Sequence, residues 1–461
     1  MAIDERSEIF AKHVERIERN RDVIAGTRAV KKAGTRYLPY AFKQQAEDDE
    51  SYQRYKMQVP FYPAASRAHD GFMGMAFRKE PVAELPPRTS QIKSIITNRG
   101  DSLERLAKYT FAEAITGHAL LVTDHPTSKA TSLATAIDEG IRPFINLYKF
   151  EHILEYTVGI VRNMQKPIRV RLLDNDETVR LYKLDKDGFV VIELYKKVEG
   201  SFPPEGAPTQ TFKPTDANGN RIVDIPVDPV SLDGEFHPTT GPLDNVVETN
   251  LDHYLKQGQL TVLTLYGISP FLFFSGVERG TDIDWVPGGV FCDPEKEAKP
   301  YVVSVPADHA IPLEHQLQSL EDRLATLTSR ILARHKPVAE AAETEAMRQG
   351  AENSVLAMIA NSVSEAIEKA LQRVAMFLGE EGSVRFQINT DYIPANLDAN
   401  QIKALLELNQ AGRYSDESLF YKLRDGGQYD ETLTYDEEKK RIAASTPVEV
   451  PVAPTGLASP E

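Results

Sequence analysis

The sequence predicts an α+β protein in which helices predominate. Apolar residues recur at the helical spacing of three and four over several long stretches, whereas the segment Pro167–Tyr195 alternates with a period of two. Turn residues at Asn175-Asp176 and Asp187-Gly188 divide this alternating segment, as is typical of β-hairpins. We therefore expect a mixed α/β body that contains hairpins, followed by long helices.

The composition excludes several classes of protein. A chain of 461 residues that is 41% hydrophobic and 26% charged is typical of a folded globular protein, with about two to four folded units. No run of about 18 apolar residues predicts a membrane helix, and the charged start MAIDERSEIF argues against a secretory signal. A single cysteine, Cys292, excludes an intrachain disulfide and indicates a reducing compartment. The net charge of −15 argues against a protein that grips nucleic acid tightly.

The N-terminal half combines helices with strands. Periodicity and capping residues predict helices at Glu5–Ile24, Glu47–Phe77 with a break at Pro60 and Pro63, Ser102–Ile115 and Ser132–Glu139. The run HALLVTDH, residues His118–His125, predicts a buried strand. Proline and glycine between residues 199 and 242 predict loops with short edge strands such as Ile222–Ile225.

The C-terminal half is mostly helical. Helices are predicted at Leu243–Leu265, Leu313–His335, Glu343–Leu378, Ala399–Gln410 and Ser415–Arg424. Strands are predicted at Ile268–Gly276, Tyr301–Val305 and Ser383–Asn389. From about Ser445 the composition predicts a disordered tail.

Two of these helices, Leu243–Leu265 and Leu313–His335, flank a small β-rich segment, which suggests a stalk that goes out and comes back. The second helix has a narrow apolar stripe and is otherwise polar, which favours packing against copies in other subunits. An ordinary helical hairpin inside one domain fits the same periodicity. The stripe consists of Leu313, Leu317, Leu320, Leu324, Leu327 and Ile331.

A search for catalytic, cofactor and metal motifs predicts none of these sites. The chain has no phosphate-binding Gly-x4-Gly-Lys-Ser/Thr, no Gly-x-Ser-x-Gly and no His-Glu-x-x-His. His118 and His125 are an odd number of residues apart on a predicted strand, so they point to opposite faces. The segment that starts at Asp216 resembles a calcium loop but has Arg221 where glycine is needed and Val227 where glutamate is needed.

Three segments taken in order carry a family resemblance. The first is FYPAASRAHDGFMGMAFRKEP (Phe61–Pro81), and the second is FAEAITGHALLVTDHP (Phe111–Pro126) followed by INLYKFEHILEY. The third is ETEAMRQGAENSVLAMIANSVSEAIEKALQRVAMFLG (Glu343–Gly379), followed by VRFQINTDY and IKALLELNQAGRYSDESLFYKLRDGG. Together with LDNVVETNLDHYLKQGQL (Leu243–Leu260), these segments resemble the portal proteins of tailed bacteriophages, in a divergent branch.

The resemblance implies a subunit of a cyclic ring, usually of twelve copies, at one vertex of the virion capsid. Double-stranded DNA passes non-specifically through the central tunnel of such a ring during packaging and ejection. The implied partners are copies of the chain itself, the terminase large subunit, a neck or adaptor protein, and the major capsid and scaffolding proteins, with no membrane partner. The resemblance implies no enzyme activity and no cofactor, because the packaging ATPase is a separate subunit.

The resemblance also divides the chain into parts. These are an N-terminal helical arm (residues 1–50), an α/β wing (51–242), the first stem helix (243–267), a β-rich clip (268–311), the second stem helix (312–336), a tunnel loop (337–350), a long tunnel helix with a wing strand (351–395), a helical crown (396–440) and a disordered tail (441–461). The stripe on the second stem helix would then be a seam between subunits.

Two groups of residues become candidate contacts by the resemblance. The candidate tunnel constriction, which would face DNA, is Lys336, Glu340, Glu343, Glu345 and Arg348. The candidate docking surface of the clip is Glu278, Arg279, Asp282, Asp284 and Trp285. Glutamates in the tunnel segment also fit a solvated helix N-terminus, where the helix dipole favours negative charge.

Two other functions fit parts of the sequence. The chain could be a head-completion or neck adaptor, although adaptors are usually much shorter and lack a stalk with a β-rich tip. It could also be a cytosolic enzyme whose site is assembled from distant residues such as His152, Asp174 and Asp176. That hypothesis predicts a compact monomer or dimer with a deep polar pocket and a bound metal.

Overall fold

A computed structural model describes residues 2–125, 142–268, 271–275, 299–303, 308, 310–332, 342–390, 392, 399–425, 428–429 and 433–444. The chain divides into two compact units, Met1–Thr390 and Asp391–Glu461. Within the described residues, helices contain more of the chain than strands do, in agreement with the predicted fold class. None of the described helices is long and apolar enough to cross a membrane.

Six helices precede or interrupt the sheets of the first unit. They are α1 (Glu8–Ile24), α2 (Thr27–Ala33), α3 (Asp49–Gln58), α4 (Ala64–Ala76), α5 (Pro87–Gln91) and α6 (Leu103–Thr116). The break predicted at Pro60 and Pro63 separates α3 from α4, because proline lacks the N–H that a helix interior needs. The side chain of Ser102 accepts a hydrogen bond from the backbone N–H of Arg105 and so caps α6.

Twelve strands are described in the first unit. They are β1 (Val82–Glu84), β2 (His118–Asp124), β3 (Phe144–Lys149), β4 (Ile153–Val161), β5 (Met164–Asn175), β6 (Thr178–Leu184), β7 (Val190–Lys196), β8 (Gln210–Phe212), β9 (Val227–Ser231), β10 (Phe271–Ser275), β11 (Lys299–Val303) and β12 (Arg385–Gln387). Strands β4 to β8 form a five-stranded antiparallel meander, and β3, β2 and β9 form a three-stranded antiparallel sheet in that order. The remaining strands form two antiparallel pairs, β1 with β12 and β10 with β11.

Three long helices follow the sheets. They are α7 (Asp244–Ile268), α8 (Ile311–Leu332) and α9 (Ala342–Phe377). With its 36 residues, α9 is about 54 Å long at 1.5 Å per residue. The second unit contains α10 (Ala399–Gln410), α11 (Asp416–Asp425) and α12 (Tyr435–Ala444).

The main hydrophobic core lies between the two larger sheets and α1. Phe10 and Ile17 of α1 are fully buried in one cluster with Leu120 of β2, Tyr182 of β6 and Phe377 of α9. The predicted N-terminal arm is therefore not separate from the body, because its first helix supplies part of this core. The helix itself begins three residues later than the predicted Glu5–Ile24.

Four predicted boundaries differ from the structure. The strand predicted at Ile222–Ile225 is wrong: both residues are buried but three apart, a spacing that does not fit one face of a strand, and the strand begins instead at Val227. The predicted tunnel loop is helical from Ala342 onward. Helix α12 was not predicted, and its last residues extend into the predicted disordered tail. The predicted helix Ser132–Glu139 and residues 445–461 lie outside the described residues.

One buried histidine has an apolar environment. His118 at the start of β2 is 1% exposed, and neither of its ring nitrogens has a hydrogen-bond partner. The rings of Phe10 and Phe150 pack against it edge-on, with centroids 6.0 and 6.3 Å away. Burial, together with the nearby His237, lowers the pKa of His118 to about 3.

We expect the stability of the protein to fall between pH 7 and pH 5.5, in part because of His118. The unfolded chain binds a proton at this imidazole near its ordinary pKa of 6.5, whereas the folded chain does not, so acid favours unfolding. The cost for one group is about 1.4 kcal/mol per pH unit below that value. Replacing His118→Phe should remove this part of the pH dependence, measured as the free energy of unfolding in urea at both pH values.

The matched control is His315→Gln, because His315 is exposed on α8. The control should lose as much stability on acidification as the unaltered protein. If the unaltered protein and the His118→Phe variant lost the same free energy of unfolding on acidification, the buried histidine would not be a cause of the pH dependence.

Candidate functional site

The two long helices α7 and α8 pack side by side and form the helical hairpin on which the candidate site is built. On α8, Leu317 and Leu324 are buried within the chain, at 5% and 0% exposure. Leu313, Leu320 and Leu327 of the same stripe are half-buried, and the side chain of Ile331 lies outside the description. Two members of the predicted seam therefore pack inside the subunit, and a contact between subunits stays a prediction for the others.

A buried asparagine attaches α7 to the body. The side-chain oxygen of Asn250 accepts a hydrogen bond from the backbone N–H of Ala65 at 3.1 Å, and its nitrogen donates to the carbonyl of Tyr62 at 2.7 Å. Helix α4 follows Pro63, whose side chain cannot cap it, so the backbone N–H of Ala65 needs an acceptor from elsewhere. Asn250 supplies that acceptor, which fixes the second turn of α7 against the start of α4.

Aromatic and charged contacts continue along the same helix. The buried ring of Tyr254 packs edge-on against Phe61 with centroids 5.4 Å apart. At the preceding residue, His253 Nε2 lies 3.2 Å from Glu321 Oε1 on α8, and its ring lies 6.0 Å from the ring of Tyr62. His253 is 4% exposed, so α7 contacts both the body and α8 through neighbouring residues.

The first residue of α7 binds α1 through a buried carboxylate. Asp244 Oδ2 accepts from Arg16 Nη1 at 2.7 Å and from the backbone N–H of Gly241 at 2.9 Å, and Oδ1 accepts from Asn20 Nδ2 at 2.5 Å. Arg16 also donates to the carbonyl of Thr239 at 2.6 Å. A negative charge at a helix N-terminus is favoured by the helix dipole. The point at which α7 leaves the body is therefore fixed by charge-assisted hydrogen bonds.

The C-terminal half of α9 is held between two sheets. Arg373 forms an ion pair with the buried Asp228 of β9, and burial raises the pKa of Asp228 while Arg373 opposes the rise. On the other side, Ser364 Oγ accepts from the backbone N–H of Ile388 at 2.9 Å, and Glu368 accepts from that of Phe386 at 3.1 Å. This half of the long helix is therefore part of the body.

The residues that the sequence proposed for the tunnel and the clip are mostly outside the description. Glu343, Glu345 and Arg348 lie in the first turns of α9, where the backbone alone is described. The other two tunnel residues, Lys336 and Glu340, lie outside the described residues. The same is true of the whole predicted docking surface of the clip, which comprises Glu278, Arg279, Asp282, Asp284 and Trp285.

A cavity of about 480 Å³ opens between α6, β3 and the end of β5. It brings together His152 and Asp174, two of the three residues of the hypothetical enzyme site, but Asp176 does not line it. Asp174 accepts hydrogen bonds from Arg180 at 3.0 Å and from the hydroxyl of Tyr148 at 2.6 Å. The carboxylate is thus engaged in the fold, and no group of three or more His, Cys, Asp or Glu residues in the described part of the chain could hold a metal ion.

Sequence reasoning missed the polar residues that attach the hairpin. Asn20 lies on the apolar face of α1, three residues after Ile17 and three before Val23, and all three are fully buried. A polar residue at an apolar position of a helix was therefore the available signal. Its partner could not be inferred, because Asp244 is 224 residues away.

Part of the chain matches a family model, and much of it is similar to a solved structure. A family model described as a domain of unknown function (DUF4055) matches residues 242–378, which contain α7, β10, β11, α8 and α9. None of the curated proteins matches the chain. Among solved structures, the chain is similar to one from the neck of an empty GTA particle computed with C6 symmetry, with 11% identity and a TM-score of 0.40 over 80% of this chain and 92% of that chain. A TM-score at this level does not establish a shared fold.

The buried carboxylate makes a prediction about stability. Replacing Asp244→Asn removes the charge and puts an amide N–H opposite groups that are themselves donors, so we expect a loss of about 2–4 kcal/mol. The measurement is the free energy of unfolding in urea at pH 7. The matched control is Glu248→Gln, which removes an exposed ion pair between the same two helices, Glu248 with Arg19 at 3.0 Å. The control should cost less than about 1 kcal/mol, and equal losses in both variants would contradict the anchoring role.

Proposed function

We propose that the chain is a portal protein of a tailed phage, the head–tail connector subunit of a cyclic ring through which double-stranded DNA is packaged and ejected. The observation that carries the proposal is the order of elements in the C-terminal part of the first unit. Helix α7 leads to the antiparallel pair β10–β11, α8 returns from it, and the 36-residue α9 follows. A portal subunit implied by the sequence has the same order of stem helix, clip, stem helix and tunnel helix.

The attachment of the hairpin supports this proposal. A stem in a ring that transmits DNA must keep its direction relative to the wing. Asp244 and Asn250 hold α7 at its first residue and in its second turn by buried hydrogen bonds, which is what a stiff stem requires. A flexible linker between body and hairpin would instead have exposed polar residues and glycine at the same place.

The charge of the chain supports a passage role for DNA. DNA carries one phosphate per about 1.7 Å of its axis, so a strongly basic tunnel would bind DNA and retard its movement. A subunit with a net charge of −15 is suited to a lining that repels the phosphates. We propose Lys336, Glu340, Glu343, Glu345 and Arg348 as the constriction, at and before the N-terminus of α9. In this role the chain is not an enzyme and needs no cofactor, since a separate terminase supplies ATP hydrolysis.

The remaining parts follow from the same proposal. The tip beyond β10 and β11 would dock the terminase large subunit and later a neck protein, through Glu278, Arg279, Asp282, Asp284 and Trp285. The helices of the second unit would face the capsid interior as the crown. The site of action would be the portal vertex of the virion, assembled in the host cytoplasm with the capsid and scaffolding proteins.

The first test is the mass of the purified full chain in dilute solution, with negative-stain images of the same sample. With a subunit of 51.5 kDa, a ring of twelve would have a mass of about 600 kDa and a central hole. A compact dimer with bound metal would contradict the portal proposal and favour the enzyme hypothesis.

The half-buried part of the stripe makes a second prediction. Changing Leu320→Glu together with Leu327→Glu should abolish the ring and leave the body folded, because charges at a seam between subunits lose hydration without gaining partners. The measurement is the mass of the particle combined with thermal unfolding of the subunit. The matched control is Ser319→Glu with Thr326→Glu, two exposed positions with the same spacing on the same helix. A double leucine variant that still runs as the full ring would contradict the seam.

A further inference from the structure

The hairpin of β4 and β5 extends beyond the rest of its sheet. The pairing of β5 with β6 begins at Arg169 opposite Lys183, whereas β4 and β5 continue to pair up to Val161 opposite Met164. We call residues 158–168 the arm; this segment is distinct from the predicted N-terminal arm of residues 1–50. Lys166, which pairs with Gly159 inside the arm, donates to Asp224 at 2.6 Å, and Val158 packs against the main core. The arm is therefore attached to the body along its length, and its exposed part is the tip around Arg162 and Asn163.

The tip of the arm is apolar on both faces. Ile160 is 84% exposed, the highest value among the exposed large apolar side chains of the described residues, and Met164 is 54% exposed. Ile160 lies opposite Gln165 and Met164 lies opposite Val161, so these two apolar side chains point to opposite faces of the hairpin. A tip that is apolar on both faces fits insertion into a cavity better than contact with a flat surface.

The turn at the tip has the backbone geometry of a tight two-residue hairpin. Arg162 and Asn163 both have positive φ, 52° and 63°, as the central residues of a type I′ turn require. This turn matches the twist of the two strands and holds the tip in one shape before any contact is made. A preformed tip reduces the entropy lost on binding.

The cavity beside β3 lies at the other end of the same hairpin. Leu173 and Asp174 of β5 and His152, just before β4, line it. Eight residues of β5 separate Gln165 at the tip from Leu173, a distance of roughly 27 Å along the strand. The projecting feature and the recess are thus at opposite ends of one rigid element.

The lining of the cavity suits the tip. Its apolar residues are Leu106, Tyr109, Ala112, Ile145, Leu147 and Leu173. Tyr109 is 45% exposed although it is large and largely apolar. Around them, the carboxylates of Asp101, Glu113 and Asp174 are already paired with arginines of the same chain, so the fit to the tip rests on the apolar lining and not on charge.

The backbone beside the cavity also suits a strand. Among the described residues, β3 is an edge strand that pairs with β2 alone. The N–H of Ile145 points away from β2 and donates to the carbonyl of Ile96. By the alternation of an antiparallel strand, the polar backbone groups of Leu147 and Lys149 point to the same side, next to the cavity. Such an edge is a template for an added strand.

We propose that the arm of one copy of the chain inserts its tip into the β3 cavity of the next copy. Because the arm and the cavity are at opposite ends of the β4–β5 hairpin, each copy can donate to one neighbour and accept from the other. Such a head-to-tail contact is heterologous and generates a closed ring when its rotation closes. The inference rests on the proposed ring and identifies the surfaces that build it.

A disulfide between copies tests the contact directly. In a Cys292→Ser background of the full chain, Ile160→Cys and Tyr109→Cys are combined and the protein is oxidised mildly. We expect a ladder of covalent multimers up to the full ring on a non-reducing gel. A bond within one copy is excluded, because disulfides need Cα atoms within about 7 Å and Tyr109 of α6 lines the cavity at the end of the hairpin opposite to Ile160.

The matched control pairs Tyr109→Cys with Met57→Cys, because Met57 is 69% exposed on α3, outside the arm and the cavity. This pair should give no ladder.

A second test measures the concentration needed for ring formation. Ile160→Asp should raise this concentration by about tenfold or more, because one buried apolar contact is lost. Met57→Asp should leave it unchanged. If the Cys292→Ser protein forms rings but the variants show neither the covalent ladder nor the higher concentration for ring formation, the inference is wrong while the proposed ring stands. A protein that stays monomeric at every concentration contradicts the proposed ring and the inference together.

Discussion

The buried carboxylate of Asp244 is the contact on which the arrangement of the first unit depends. A charge removed from water must be matched by donors, and Asp244 has three of them, on Arg16, Asn20 and Gly241. These donors come from α1 and from the loop that precedes α7. Because α1 also supplies Phe10 and Ile17 to the main core, the first residue of α7 is joined to the centre of the body.

The direction of the helical hairpin follows from this constraint. Once its first residue is fixed, α7 presents Asn250 to α4 and His253 to Glu321 of α8. On α8, which packs against both α7 and α4, Leu317 and Leu324 are buried within the chain. The last half of α9 returns to the body through Arg373 and Asp228. The start of α7 and the last half of α9 are thus both attached to the body, as the proposed stem and tunnel helix would require.

Much of the secondary structure could be predicted from local patterns. The breaks at Pro60 and Pro63, the cap at Ser102 and the turns of the five-stranded sheet depend on residues close in sequence, so the structure agrees with them. The strand Val227–Ser231 was missed because it contains Pro229 and is buried without alternation. Helix α12 was missed because its charged composition resembles a tail. The catalytic hypothesis paired His152 with Asp174 correctly in space, but the fold already engages the carboxylate.

The sequence alone determined the fold class, the order of the elements and the family resemblance, since periodicity, turns and caps act over a few residues. Only the tertiary structure decided which surfaces are covered. Leu317 and Leu324 belong to the same stripe as Leu320 and Leu327, yet the first two are buried within the chain. Likewise, Ile160 and Leu173 are apolar residues of one β-hairpin, yet the first is exposed and the second lines a cavity that α6 and β3 complete. Burial depends on contacts between residues far apart in the chain, and local patterns do not encode those contacts.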